Sequence, residues 1–170
     1  FGRVAIIGLG LLGGSIGLAV QPHLPQIETT GWDRDPATRA RAAERGLVGT
    51  VCESGEAAVA GADLVIFCVP VCAIGAVAAE LAPAIPADAV ISDVGSSKQS
   101  VATALAQALP GHTVIPAHPV AGTERSGPDA GFASLFHNRW CIITPPDGVD
   151  EAKLAALSAF WEGLGARVEL

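Results

Sequence analysis

Apolar residues come in short blocks along this chain, separated by helix-length stretches and by glycine- or proline-bearing turns. Arg3–Gly8 and Asp63–Val69 are near-continuous apolar runs, the mark of strands covered on both faces. Leu11–Val20 follows a glycine-rich turn and reads as a helix, and Ile27–Trp32 as a second strand. Pro36–Arg45 reads as a helix closed by Gly46, then Leu47–Val51 as a short strand and Glu53–Ala60 as a short helix. Pro70 ends the run from Asp63. Beyond it the pattern predicts a helix over Ala73–Leu81, a strand over Ala89–Ser92 and a helix over Lys98–Leu109, stopped by Pro110 and Gly111. Thr113–Ala117 reads as a strand. His118–Asn138 reads as irregular, with a single helical turn near Phe132–Phe136. A strand over Arg139–Thr144, a helix over Glu151–Leu164 capped by Asp150, and a final strand at Arg167–Leu170 complete the series.

Strands alternating with helices call for an α/β fold: a doubly wound, mostly parallel sheet with helices on both faces. The 170 residues suit one domain, half of them are hydrophobic, and the mean hydropathy is +0.45, so a packed core is expected. The stretch Val4–Val20 is uncharged and apolar, but five glycines interrupt it and no basic segment precedes it, which argues against a signal peptide or a membrane span. A chain that opens on Phe1 and stops in a strand is expected to be a piece of a longer protein.

The net charge of −7 and the lack of any Lys/Arg cluster argue against nucleic acid or an anionic membrane as partner. Phosphate groups remain possible ligands, since a helix N-terminus binds them through backbone N–H groups. Cys52, Cys68, Cys72 and Cys141 show no zinc-ligand spacing and are expected to be free, mostly buried thiols of a cytoplasmic protein, with no metal.

The first strand runs into Gly8-Leu9-Gly10-Leu11-Leu12-Gly13, a G-x-G-x-x-G loop between a strand and a helix. Gly8 permits the tight turn, Gly10 lets a pyrophosphate approach the backbone, and Gly13 lets the helix pack on the sheet. Asp33, twenty residues past Gly13, ends the second strand, where a carboxylate binds ribose hydroxyls. The sheet is therefore expected to be Rossmann-type, with Leu11, Leu12, Val69 and Pro70 also at the cofactor. Asp33 repels a 2′-phosphate and favours NAD, while the adjacent Arg34 keeps NADP possible. Asp35 suits the helix cap before Pro36 better than Asp33 does.

Ligands of open α/β sheets bind beyond the carboxyl ends of the strands. Two such ends lead into Asp93-Val94-Gly95-Ser96-Ser97-Lys98 and His118-Pro119-Val120-Ala121-Gly122-Thr123-Glu124. Ser96 and His118 are thus expected on neighbouring strands, facing the nicotinamide. Each has a plainer reading: Ser96 as a helix N-cap, His118 as a turn residue before proline. Lys98 either pairs with an acidic neighbour or is solvated, and Glu124 is otherwise a surface loop residue. His112 and His137 read as structural, and His23 as part of a surface loop.

These motifs, with His118-Pro119 continuing to Ser126-Gly127, resemble the N-terminal domain of the prephenate/arogenate dehydrogenases across nearly all the chain. The resemblance implies an oxidative decarboxylation in tyrosine biosynthesis. It casts His118 as acceptor of the substrate hydroxyl proton and Ser96 as a group orienting that hydroxyl and the nicotinamide. Glu124, with Thr123 beside it, controls the polar entrance. It further implies a C-terminal helical domain, absent from this chain, that makes a homodimer and holds the substrate carboxylates. A β-hydroxyacid-type dehydrogenase and a non-enzymatic nucleotide-sensing module are the alternatives; the former usually places its catalytic Lys on a later helix, and the latter needs no Ser/His pair.

Overall fold

The computed structural model describes residues 1–170. Six parallel strands form the main sheet: β1 (Arg3–Ile7), β2 (Glu28–Trp32), β3 (Thr50–Val51), β4 (Leu64–Phe67), β5 (Val90–Asp93) and β6 (Thr113–Val114). Their order is β3-β2-β1-β4-β5-β6, so the winding reverses between β1 and β4. That reversal opens a crevice at the carboxyl ends of these two strands.

Because side chains alternate along a strand, each central strand feeds two cores. Val4, Ile6, Leu64 and Ile66 join one; Ala5, Ile7, Val65 and Phe67 join the other. The first core takes in α1 (Leu11–His23), α2 (Pro36–Arg45, through Ala42) and α6 (Glu151–Gly163). The second takes in α3 (Gly55–Val59), α4 (Val71–Leu81) and α5 (Lys98–Ala108). This two-faced burial is why the strands read as continuous apolar runs. A fully buried Ile or Phe contributes about 1.5–3 kcal/mol, and both faces of β1 and β4 are filled this way. Asp35, Ser54 and Asp150 each accept a hydrogen bond from a first-turn N–H of the helix they precede. Gly46 closes α2 in a left-handed conformation.

The structure departs from the sequence reading in four places. Thr113–Ala117 is not one strand. The ladder to β5 ends when Ile115 N–H donates to Ile91, because Pro116 has no N–H and the Asp93 side chain takes the N–H of Ala117. The chain then starts a second sheet, in which β7 (Ala117–Pro119) lies antiparallel to β8 (Trp140–Ile143), itself parallel to β9 (Arg167–Glu169). His118 therefore belongs to this smaller sheet and not to a strand neighbouring β5 in the main one. Leu47 and Val48, expected in β3, are instead buried against glycines of α1. The helical turn expected near Phe132–Phe136 is a run of hydrogen-bonded four-residue turns, Leu135 N–H to the Phe132 carbonyl, His137 to Ser134 and Arg139 to Phe136, with no helix.

All four cysteines are free, but only Cys141 is fully buried; Cys72, in the first turn of α4, is exposed. No helix is long and apolar enough to cross a membrane.

Candidate functional site

Past β1 the backbone turns at Gly8, whose φ of +104° lies in the left-handed region. A Cβ there would also stand 2.8 Å from the Cys68 carbonyl at the end of β4, so the turn admits no side chain. In the first turn of α1, a Cβ on Gly13 would run into the Gly8 carbonyl oxygen. Gly10 is different: nothing lies within 4 Å of where its Cβ would be. It is the N-cap of α1 and makes no side-chain cap bond, so the helix presents bare N–H groups to open space.

Asp33 is locked against this loop. Its Oδ2 accepts from Leu9 N–H at 2.9 Å and its Oδ1 from Asp35 N–H at 3.0 Å. Asp35, not Asp33, caps α2, and bonds from the Thr38 hydroxyl and the Ala37 N–H hold its carboxyl below the usual range. Arg34 places Nη2 2.9 Å from Glu80 Oε2 on α4. Gly8, Gly10, Asp33, Arg34, Val69 and Pro70 line one cavity of about 360 Å³, with Trp32, Cys68 and Ala73, Ala76 and Val77 of α4. Leu11, Leu12 and Gly13 form the first turn of α1 and do not line it.

A second group gathers beyond β5. Asp93 is fully buried, and Lys98 Nζ lies 2.7 and 2.6 Å from its two oxygens. The same ammonium donates to the Ala117 carbonyl at 2.6 Å. Asp93 Oδ2 also accepts from Gly95 N–H, and Oδ1 from Ala117 N–H. Desolvation outweighs the attraction within this pair, raising the Asp93 carboxyl and lowering the Lys98 ammonium. The pair thus ties the loop after β5 to the strand that carries His118.

His118 Nδ1 stands 3.5 Å from the Val94 carbonyl. A carbonyl can only accept, so this contact favours the proton on Nδ1 and leaves Nε2 as an acceptor. His118 lines a separate cavity of about 360 Å³ with Val120, Ala121, Gly122 and Arg139. Ser96 is exposed two residues beyond Val94, and its side chain makes no hydrogen bond. It is not a helix cap, since Ser97 holds that position on α5. Thr123 and Glu124 are exposed and line neither cavity; the Thr123 hydroxyl accepts from Arg125 N–H. Larger hollows of about 710 and 630 Å³ run along α5, but they include neither the glycine loop nor His118.

A family model described as the nucleotide-binding domain of prephenate dehydrogenase matches residues 16–170. The chain belongs to this family. It is 43% identical over 170 residues to a cyclohexadienyl dehydrogenase of Zymomonas mobilis, covering all of this chain and 58% of that protein. Among solved structures, the arogenate dehydrogenase of Synechocystis superposes with a TM-score of 0.90 at 28% identity, covering 99% of this chain and 59% of that one. The prephenate dehydrogenase of Aquifex aeolicus, in complex with hydroxyphenyl propionate and NAD+, gives a TM-score of 0.90 at 27% identity, with the same coverage. The chain thus spans a little under three fifths of the length of these relatives.

Within this member of the prephenate dehydrogenase family, sequence reasoning underrated two features. The Asp93–Lys98 pair was visible only as two charges five positions apart across a strand end. Arg139, in the cavity of His118, is twenty-one positions away in sequence and carried no signal. Only the β7–β8 pairing brings it near.

Proposed function

We propose that this chain is the dinucleotide-binding part of an enzyme that oxidatively decarboxylates prephenate or arogenate. The observation that carries the reading is His118 beside Val94, just past the carboxyl end of β5, in a contact that favours Nε2 as the acceptor. Family membership supplies the chemistry to which that acceptor is suited.

The residues present fit a nicotinamide dinucleotide. The open space over Gly10, the uncapped start of α1 and the clamped carboxylate of Asp33 match a pyrophosphate and a ribose diol in turn. When bound, the dinucleotide supplies the acceptor for the hydride that leaves the ring carbon bearing the hydroxyl. His118 Nε2 takes the proton of that hydroxyl, so the oxygen becomes a carbonyl without passing through a protonated form. The bond from the ring to its carboxylate then breaks, carbon dioxide leaves, and the electron pair makes the ring aromatic. The new phenolate oxygen recovers the proton from His118. Ser96, exposed on the loop anchored by Asp93 and Lys98, orients the hydroxyl, and Thr123 and Glu124 border the entrance. In the whole protein a helical domain makes the homodimer and holds the substrate carboxylates.

NAD is the preferred cofactor in this reading. Asp33 repels a 2′-phosphate; Arg34, the one cation lining the cavity, is engaged by Glu80, and the guanidinium of Arg39 is engaged by the carbonyls of Asp33 and Arg34. Asp33→Ala is expected to weaken NAD binding by about 10-fold, the scale of a lost hydrogen bond to a charged group, and NADP binding by less. Equal losses in titrations of the two dinucleotides would contradict the assignment. Glu80→Gln frees Arg34 and is expected to tighten NADP about 3-fold, since an exposed ion pair contributes at most about 1 kcal/mol, with NAD unchanged.

The experiment that tests the reading is an assay of the whole protein with prephenate and arogenate, each with NAD and NADP. Reduced dinucleotide and carbon dioxide are expected in equal amounts with at least one pair. Failure of all four combinations would overturn it.

A further inference from the structure

The segment after His118 is anchored at both ends and bare between them. At its start, Val120 N–H donates to the Trp140 carbonyl at 2.7 Å. At its far end, three helical side chains grip Pro128–Phe132, two of them through its backbone and one through the Asp129 carboxylate. Arg45, the last residue of α2, donates to the Pro128 carbonyl at 2.7 Å and twice to the Gly131 carbonyl, at 3.2 and 3.1 Å. Arg41, one turn earlier, pairs with Asp129 at 2.6 Å. Ser15 of α1, fully buried, accepts from Phe132 N–H at 3.0 Å. Gly131 lies so close to α1 that a Cβ would come within 3.1 Å of Ser15 N.

Between these anchors, residues 122–126 are exposed, and their one side-chain hydrogen bond is local, from Arg125 N–H to the Thr123 hydroxyl. The span has a glycine at each end, Gly122 and Gly127, the latter at a φ of +82°. Its first residue, Gly122, lines the cavity of His118, as do Val120 and Ala121 just before it. The position of the span is therefore set from its ends, and the far end hangs chiefly on one guanidinium.

We propose that Arg45 is a positioning residue for the substrate: it sets where the Gly122–Gly127 span stands over the His118 cavity. This rests on the function proposed above. Arg45 touches neither cavity. Its planar fork suits two carbonyls three residues apart in a way an ammonium does not. Moving the anchor shifts groups that meet the substrate but leaves the glycine loop and Asp33 where they are.

The test uses the whole protein and three variants: Arg45→Ala, Arg45→Lys and Ser15→Ala. For Arg45→Ala the expected result is a KM for the dienol substrate raised about 10-fold, with kcat and the NAD dissociation constant each within about 2-fold. Arg45→Lys, which keeps the charge and reaches one carbonyl, recovers part of the loss. Trypsin cleavage after Arg125 reports the span without any need for turnover, and is expected to quicken in Arg45→Ala. Should that variant fail to fold, Ser15→Ala and Arg45→Lys must show the same pattern at smaller size. Unchanged KM and unchanged cleavage would overturn the proposal. So would a joint loss of KM, kcat, NAD affinity and melting temperature, which marks a merely structural contact. Wild-type protein that turns over neither prephenate nor arogenate sinks the functional reading and the positioning role with it; normal wild-type turnover with unaffected variants sinks Arg45 alone.

Discussion

His118→Ala is expected to lower kcat of the whole protein by about 10²- to 10⁴-fold, the usual contribution of a positioned general base. The imidazole sits on β7 with Nδ1 3.5 Å from the Val94 carbonyl, a contact that favours the tautomer in which Nε2 is the acceptor. Alanine removes that acceptor and touches nothing in the dinucleotide cavity, which His118 does not line. NAD affinity should therefore stay within about 2-fold, as for a group acting only in the transition state. Steady-state rates and a dinucleotide titration on the same preparation check both halves. Unaltered turnover would remove His118 from the reaction, and a parallel loss of NAD affinity would mean that it acts through folding.

The second large effect concerns stability. Lys98→Met is expected to destabilise the domain by about 3–5 kcal/mol at neutral pH, the cost of stranding one partner of a buried ion pair. Asp93 is fully buried, so its carboxylate would keep only the N–H bonds of Gly95 and Ala117. The loss carries a pH signature. Burial already raises the Asp93 carboxyl, and Lys98 is the first influence opposing that rise. Without Lys98 the folded-state value climbs further above the unfolded one. A raised carboxyl imposes no penalty where both states are protonated, and a growing one as pH climbs through the folded value. The gap between wild type and variant should thus widen from pH 5 to pH 8 in denaturant titrations. A gap independent of pH would contradict this electrostatic account. Asp93→Asn with Lys98→Met, which removes both charges, should recover part of the stability.

The main sheet and the cavity over the glycine loop were legible because they depend on local signals. Continuous apolar runs such as Leu64–Phe67 follow from burial on both faces, and Gly8 and Gly13 sit where a side chain would collide, while Gly10 faces open space. Asp33 and Arg34 were placed at the same cavity by their position at the end of β2 alone. The second sheet was not legible. Thr113–Ala117 reads as one strand despite Pro116, whose missing N–H is a local sign against it; the buried Asp93 carboxylate that takes the N–H of Ala117 comes from another element and leaves no such sign. The clasp of Arg45 on Pro128 and Gly131 joins residues more than eighty positions apart through backbone carbonyls, which leave no mark in the pattern of side chains. The plainer reading of Ser96 was a helix cap; Ser97 occupies that place, and the Ser96 side chain has no structural partner.

The claim on which the rest depends is that the glycine loop and His118 serve one reaction centre, although they line separate cavities here. The most direct measurement is a crystal structure of the whole protein with NAD+ and hydroxyphenyl propionate bound together. The account predicts the pyrophosphate over Gly10, the adenosine ribose at Asp33, and the phenolic oxygen within about 2.6–3.2 Å of His118 Nε2. A phenolic oxygen bound out of reach of His118, with the dinucleotide still on the glycine loop, would contradict it.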